Sequence, residues 1–377
     1  MLSQIGRPVI GSLANYPAKL RSRIKAFRAN NAGWGPISIR IELEDQYGYL
    51  PSDLPSDTSI YRYLKQEGFI KEKEPSHPLP TSSCPKVKSC HHKWEMDAMG
   101  TLEVKGISNQ SLIDIKDVFS KLYCMSFPVA VKNRNTQPAM IHYKWALRLA
   151  FTEVGRPKVI QVDKDSVFID NNTKSPFPKK IHLWLLALGI EFCFIEHAPP
   201  VQNSMIERSH QTFFSQAIKG KTYATWKTFF KRLQQRRKRL NEKYPSRTLG
   251  GKAPLQCYPQ AKHSGRLYSI QQESQLLDIK RVYAFLAKGK WYRLVGKSTK
   301  SVHLGGHVYY VKTVPKNRNI TITFCNRSKK LLFHDVNELL LAKHPIKGLT
   351  IEELMGTNTK KLIATYKRIF KANNFPF

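Results

Sequence analysis

Three acidic residues constrain the fold of this chain most strongly: two stand at strand ends, and one is alone in a predicted helix. Trp94-Glu-Met-Asp97 opens a strand-like stretch, and Val159-Ile-Gln-Val-Asp163 closes another, so each places an aspartate at a strand end. Glu207 is the only acid in the predicted helical segment that runs to Phe214. An acid isolated in a basic region is a candidate metal ligand, because divalent cations require carboxylate oxygens.

In order and spacing, these residues resemble the integrase core of DDE transposases encoded by insertion sequences. The matching features are Trp-x-x-Asp at 94–97, Phe168 five residues after Asp163, and Pro200 ahead of Glu207-Arg208. The resemblance covers about residues 94–258 and implies an RNase H-like α/β fold. It also implies that the catalytic residues Asp97, Asp163 and Glu207 meet and hold two Mg²⁺ or Mn²⁺ ions.

Two positions depart from the family pattern. Asp165 stands where a glycine is usual, so Asp163 and Asp165 compete for one role, although the apolar strand and Phe168 favour Asp163. Ser204 replaces a second usual glycine, which exchanges one small residue for another.

The balance of charge indicates the class of partner. The chain has 62 Lys and Arg against 27 Asp and Glu, a formal net charge of +35. Basic side chains that neutralise phosphates release condensed counterions, so this excess favours nucleic acid. A length of 377 residues and a hydrophobic content of 41% predict about three domains with packed cores.

The cysteines and apolar runs indicate the compartment. Six scattered cysteines show no disulfide-framework spacing, which predicts reduced thiols. No signal peptide is recognisable at the start, and the most apolar run, 183–195, is too short to span a bilayer and contains Glu191. With the resemblance, this predicts a soluble, cytoplasmic, nucleoid-associated prokaryotic protein that does not enter a membrane.

Residues 1–72 are predicted to form an all-α helix-turn-helix region that binds DNA; a plain helical bundle is the alternative. The third helix is predicted to be capped by Asp57 or Thr58. In transposases that resemble this chain, such a module binds the element's ends. The residues expected near base edges or phosphates are Thr58, Ser59, Tyr61 and Arg62.

Residues 73–93 are predicted to be an extended linker, because proline, serine and charged residues dominate the start of this segment. Cys84 and the run Cys90-His91-His92 raise the possibility of zinc. Their spacing fits no zinc finger, so an arm that crosses the DNA backbone is the preferred interpretation.

The core, 94–260, is predicted to contain an antiparallel three-stranded meander followed by helix, strand, helix and strand, giving a five-stranded mixed sheet. A later helix, 226–244, carries an apolar stripe and many basic residues. Its basic face is interpreted either as a track for DNA phosphates or as an ordinary solvated face. The candidate DNA-binding arginines are Arg208, Arg236, Arg237 and Arg239.

Two regions follow the core. Short apolar segments over 278–343, beginning with a predicted strand at 279–286, predict a small β-barrel. Residues 344–377 are predicted to be a basic helical tail that binds DNA or a second protomer.

The resemblance implies a transposase that binds the ends of a mobile element, nicks DNA and catalyses strand transfer. It implies at least a dimer on DNA and no nucleotide cofactor, because one phosphodiester bond replaces another. One alternative is a catalytically silent DNA-binding regulator derived from a transposase, against which the presence of all three acids counts. A second is a nuclease for RNA–DNA hybrids, which needs neither the helix-turn-helix nor the barrel.

Overall fold

Three helices pack together ahead of the first strand. The computed structural model describes residues 11–70, 87–132, 136–170, 175–195, 204–315 and 317–369. One buried leucine from each helix, Leu20, Leu43 and Leu64, enters a shared hydrophobic cluster. The three helices are α1 (Ala18–Asn30), α2 (Pro36–Tyr47) and α3 (Asp57–Gln66).

The start of α3 differs from the prediction. The Ser56 side chain, and not Asp57 or Thr58, caps the helix by accepting a hydrogen bond from the Ser59 backbone N–H at 3.2 Å. Residues 48–56 connect α2 to α3. The predicted helices are therefore present, while their assignment to a helix-turn-helix stays a prediction.

A mixed five-stranded sheet follows, as predicted. Its strand order is β3-β2-β1-β4-β5. The first three strands are antiparallel, and the last two run parallel to the first. This arrangement is consistent with an RNase H-like core. The strands are β1 (Lys93–Leu102), β2 (Gln110–Asp117), β3 (Tyr123–Ala130), β4 (Val159–Val162) and β5 (Glu191–Phe194).

Helices cover both faces of this sheet. Trp94 and Ile113 point to one face and join the main core with residues of α4 (Met140–Val154) and α5 (Lys180–Ala187). Leu112 points to the other face, where it packs with residues of α6 (Ser204–Phe213) and α7 (Trp226–Glu242). Because successive side chains of a strand point to opposite faces, Asp97 and Asp114 lie on the α6 side.

The C-terminal region contains a second, antiparallel sheet. Its four strands have the order β11-β10-β9-β6, and β7 and β8 form a separate hairpin. In the described residues, β6 and β11 are the two edges of this sheet, so the predicted barrel is not confirmed. The elements are α8 (Pro254–Cys257), α9 (Glu273–Leu276), α10 (Ile279–Leu286), β6 (Lys290–Leu294), β7 (Ser301–Leu304), β8 (His307–Tyr310), β9 (Asn319–Cys325), β10 (Lys330–His334), β11 (Leu340–Pro345), α11 (Ile351–Met355) and α12 (Thr359–Ile369).

The predicted strand at 279–286 is wrong, because this segment is helix α10. Asp278 caps it by accepting a hydrogen bond from the Lys280 backbone N–H. Val282 and Leu286 are buried at a spacing of four residues, which is helical. The helical conformation of this segment therefore follows from the Asp278 cap and the i, i+4 spacing of its buried residues. Its β-branched residues do not make it a strand.

None of the helices in the described ranges is both long and apolar enough to cross a membrane.

Candidate functional site

Two of the predicted catalytic acids belong to neighbouring inner strands of the central sheet: Asp97 lies in β1, and Asp163 directly follows β4. Glu95 of β1 is paired with Gln161 of β4 in parallel register. This pairing ends at Glu95 and Gln161, and Asp97 and Asp163 each stand two residues further along the chain. The charge of Asp163 acts on Asp97, so the two carboxylates lie within range of electrostatic interaction.

Asp97 is influenced by every acid of the site. Burial, then the charge of Asp163, raises the pKa of Asp97 to about 7, with smaller contributions from Glu207 and Asp165. The backbone N–H of Ala98 donates a hydrogen bond of 2.8 Å to Asp97 Oδ1, which opposes this rise. The acids that are far apart in sequence thus share one electrostatic environment.

Glu207 reaches this environment from a different layer. It lies in the first turn of α6, where its side chain is exposed, and α6 packs against β1 and β2. Pro200, which precedes Glu207 in the matching motif, lies outside the described residues. Packing of the helix against the sheet is what places Glu207 close enough to act on Asp97.

The two competing aspartates after β4 have different surroundings. Asp165 Oδ1 accepts hydrogen bonds from the Val167 backbone N–H at 3.0 Å and from the Ser166 hydroxyl at 3.1 Å, so its carboxylate stabilises the turn. Asp163 follows the strand directly, and burial, then the charge of Asp165, raises its pKa. Phe168 anchors the turn, because its buried ring packs against Tyr143 with a centroid distance of 4.8 Å.

The donor chemistry of the site suits hard cations. Asp97, Asp163 and Glu207 offer only oxygen, the ligand type that Mg²⁺ and Mn²⁺ prefer. In the described part of the chain, no three His, Cys, Asp or Glu side chains converge as a ready metal cluster. The negative charges of these acids repel one another, as the raised pKa of Asp97 indicates. A bound divalent cation would relieve this repulsion.

The histidine run before β1 is not arranged for zinc. Cys84 lies outside the described residues. His91 Nδ1 accepts a hydrogen bond from the Trp94 indole N–H at 3.1 Å, and His91 Nε2 is 2.8 Å from the Ala261 carbonyl oxygen. Both ring nitrogens of His91 are thus occupied by protein groups.

Three groups near the acids were not found from the sequence. Asp114 of β2 lies directly opposite Asp97 in the antiparallel register, and His210 of α6 lies close to Asp114. The Tyr143 ring is buried, and the charges of Asp165, Asp97 and Asp163 help burial to raise its pKa. Only Asp114, which stands between the apolar residues Ile113 and Ile115 of β2, could have indicated one of them.

The predicted DNA-binding residues fall into two sets. Thr58, Tyr61, Arg62 and Arg208 are exposed, and Ser59 is half-buried, so these side chains are accessible as the prediction requires.

The prediction for Arg236 and Arg237 is corrected by their positions, because both are buried, with 1% and 4% exposure. Arg237 forms an ion pair with Glu153 and donates hydrogen bonds to backbone carbonyls of β3. Arg236 forms an ion pair with Glu42 of α2. Arg239 is partly exposed and forms an ion pair with Asp45 at 2.5 Å.

The solvent face of α7 is made of other basic residues. Lys227, Lys231 and Lys238 are exposed, and so is Gln235, which lies between the last two. Successive members of this set are four, four and three residues apart. A helix of this spacing presents them along one stripe. The sequence pattern showed that α7 is amphipathic and basic but did not distinguish the arginines that face the protein from the lysines that face the solvent.

Among solved structures, the chain is similar to retroviral integrases. The catalytic core of HTLV-2 integrase in complex with magnesium is 14% identical, with a TM-score of 0.33, and the match covers 48% of this chain and 100% of that one. The BIV integrase core is 14% identical, with a TM-score of 0.31 and coverage of 46% and 97%. The simian T-cell lymphotropic virus intasome in complex with the PP2A regulatory subunit B56 gamma is 14% identical, with a TM-score of 0.34. That match covers 82% of this chain and 96% of the other.

No family model and no curated protein matches the chain. At such low TM-scores, function has to be inferred from the residues of the site.

Proposed function

We propose that this protein is a transposase, a polynucleotidyl transferase that binds the ends of a mobile DNA element and catalyses metal-dependent nicking and strand transfer. The observation that carries the proposal is the position of Asp97 beside Asp163 at adjacent strands, with the charge of Glu207 acting on Asp97 from α6. These are the same three residues that the DDE-like sequence motifs single out.

Asp97, Asp163 and Glu207 would hold two Mg²⁺ or Mn²⁺ ions. When bound, such ions activate a water or a DNA 3′-hydroxyl and stabilise the leaving oxygen. The role of the protein is to hold the carboxylates in place: β1 and β4 fix the aspartates, and α6 brings the glutamate. Asp163 is preferred over Asp165, because Asp165 Oδ1 accepts two hydrogen bonds within the turn, whereas Asp163 Oδ1 accepts one, from the Asp165 backbone N–H at 3.3 Å.

DNA binding is supported by charge and exposure. The net charge of +35 provides a large electrostatic attraction to phosphates. Arg208 follows Glu207 directly and is exposed, so it is placed to contact a phosphate at the site. The exposed Thr58, Tyr61 and Arg62 of α3 are proposed to read the element's ends. Joining two ends requires two active sites, so we propose that the protein acts as a homo-oligomer on DNA.

The proposal is tested with purified protein, Mg²⁺ or Mn²⁺, and labelled DNA that carries the sequences flanking the coding region. We expect nicking and joining that depend on the metal and are lost in Asp97→Ala, Asp163→Ala and Glu207→Ala. Glu191→Gln is the matched control, because Glu191 is an exposed acid at the start of β5.

The proposal fails if wild-type protein binds the DNA but neither nicks nor joins it with either metal. That result favours the silent regulator.

A further inference from the structure

A buried acid and a buried histidine lie directly behind the proposed catalytic residues. Asp114 is 1% exposed and His210 is 7% exposed. Asp114 Oδ2 lies 3.6 Å from His210 Nε2. Neither the two Asp114 oxygens nor His210 Nε2 has a hydrogen-bond partner of ordinary geometry within the described residues.

Burial explains why this contact is not a simple ion pair. It raises the pKa of Asp114 to about 7, against a smaller opposite effect of the Ser126 hydroxyl, and it lowers the pKa of His210 to about 4. An unsatisfied buried polar group costs about 1–3 kcal/mol, and this pair contains several such atoms. Stability alone does not account for their presence.

The pair connects β1, which carries Asp97, with α6, which carries Glu207. Asp114 is the direct cross-strand partner of Asp97. His210 lies three residues after Glu207, so the two side chains are on neighbouring positions of one face of α6. The His210 ring also lies against the backbone of Asp97, which opposes the lowering of the His210 pKa by burial. One imidazole thus contacts β1 at Asp97 and β2 at Asp114 from the helix that carries Glu207.

We propose that Asp114 and His210 are positioning residues that fix the separation of Asp97 and Glu207, so that these two carboxylates bind the same divalent ion. This inference rests on the proposed function. The ring of His210 acts as a spacer between α6 and the sheet, and Asp114 holds the ring in its orientation. Groups that orient the ligands of a metal commonly change its affinity by about 10–100-fold when they are removed.

The test measures Mn²⁺ binding by calorimetric titration and DNA nicking as a function of Mn²⁺ concentration. We expect His210→Ala and Asp114→Val to weaken Mn²⁺ binding by about 10–100-fold. His210→Gln, which can still donate a hydrogen bond, is expected to recover part of this loss. Gln211→Ala is the matched control, because Gln211 is the next residue of α6 and is exposed.

The outcomes separate the two proposals. If wild-type protein neither binds Mn²⁺ nor nicks DNA, the proposed function fails, and the positioning role fails with it. If wild-type protein does both, and folded His210→Ala and Asp114→Val bind Mn²⁺ like wild type, only the positioning role is overturned. A loss of thermal stability with unchanged Mn²⁺ affinity has the same meaning, since it shows a purely structural role.

Discussion

Glu42 of α2 and Arg236 of α7 form a buried ion pair, with Oε1 and Nη1 2.7 Å apart and side-chain exposures of 3% and 1%. The Arg236 guanidinium also lies 4.7 Å from the centre of the Trp34 ring and donates a hydrogen bond to Gln216. The N-terminal helices are thus docked on the α7 side of the core through a desolvated charge. This is why a basic residue predicted to bind DNA is unavailable for it.

Removal of one partner of this pair is expected to destabilise the protein strongly. Glu42→Ala leaves Arg236 buried and unpaired, which costs about 3–5 kcal/mol. Urea unfolding measures this loss. Glu44→Ala is the matched control on the same helix, because the partly exposed pair of Glu44 with Arg40 is worth less than about 1 kcal/mol. Equal effects of the two substitutions would contradict the buried pair.

A second buried pair joins the core to the C-terminal region. Arg148 Nε and Nη2 donate to the two carboxylate oxygens of Glu273 at 2.7 and 2.8 Å, and both side chains are fully buried. We expect Glu273→Leu alone to cost about 3–5 kcal/mol and the double substitution with Arg148→Met to cost clearly less. A double-mutant cycle by urea unfolding measures the difference, and strict additivity would argue against the pairing.

Asp97 predicts a pH-dependent stability in the absence of metal. Its pKa in the folded state, about 7, is above the value of 3.8 that it has when unperturbed. The folded state therefore binds the proton more tightly, and this contribution to stability is lost as pH rises through about 7. We expect Asp97→Asn to raise the melting temperature at about pH 8 and to leave it nearly unchanged at about pH 4, where Asp97 is protonated.

Metal reverses this relationship. At about pH 8, Mg²⁺ is expected to stabilise wild-type protein and not Asp97→Asn, because ligand binding to the folded state raises its stability. Thermal melts with and without Mg²⁺ measure both effects. Asp53→Asn is a control, since Asp53 is an exposed acid in the turn before α3. A gain at pH 8 in this control as well would remove the role assigned to the acidic site.

The exposed lysines of α7 are expected to contribute to DNA affinity, whereas the buried Arg236 and Arg237 are not. Replacement of Lys227, Lys231 and Lys238 by alanine should weaken DNA binding at low salt and reduce the slope of log affinity against log salt by up to about 2.7. Fluorescence anisotropy with a salt titration measures this. The triple Lys→Arg variant keeps the charge and is expected to bind like wild type. An unchanged slope in the alanine variant would place the DNA elsewhere.

Much of the fold was predictable from local patterns. Strand-like apolar segments identified the five strands of the central sheet, and the strand–helix succession after β3 indicated its mixed character. The exceptions are equally local in cause. The segment 279–286 is a helix because Asp278 caps it and Val282 and Leu286 fall on one helical face. Its β-branched and aromatic content was a weaker signal.

The catalytic acids could be suggested from sequence because each stands in a distinctive local setting. Asp97 closes the Trp-x-x-Asp motif that begins at Trp94, Asp163 directly follows an apolar strand, and Glu207 is the only acid of its predicted helical segment. The sequence did not show which of the basic side chains of α7 face the protein interior. On α7, the side chains of Arg236 and Arg237 face the protein, whereas the side chain of the neighbouring Lys238 faces the solvent.

The sequence by itself determined the apolar segments that form the sheet, the basic character that favours a polyanion, and the three acids proposed to act on it. Only the tertiary structure decided that Asp97 lies beside Asp163, that His210 contacts Asp114, and that Glu42 neutralises Arg236. Periodicity along a chain reports which face of an element is apolar, whereas the partner of a buried charge is set by packing between elements that are distant in sequence. The desolvation cost of each such charge makes the choice of its partner a property of the whole fold.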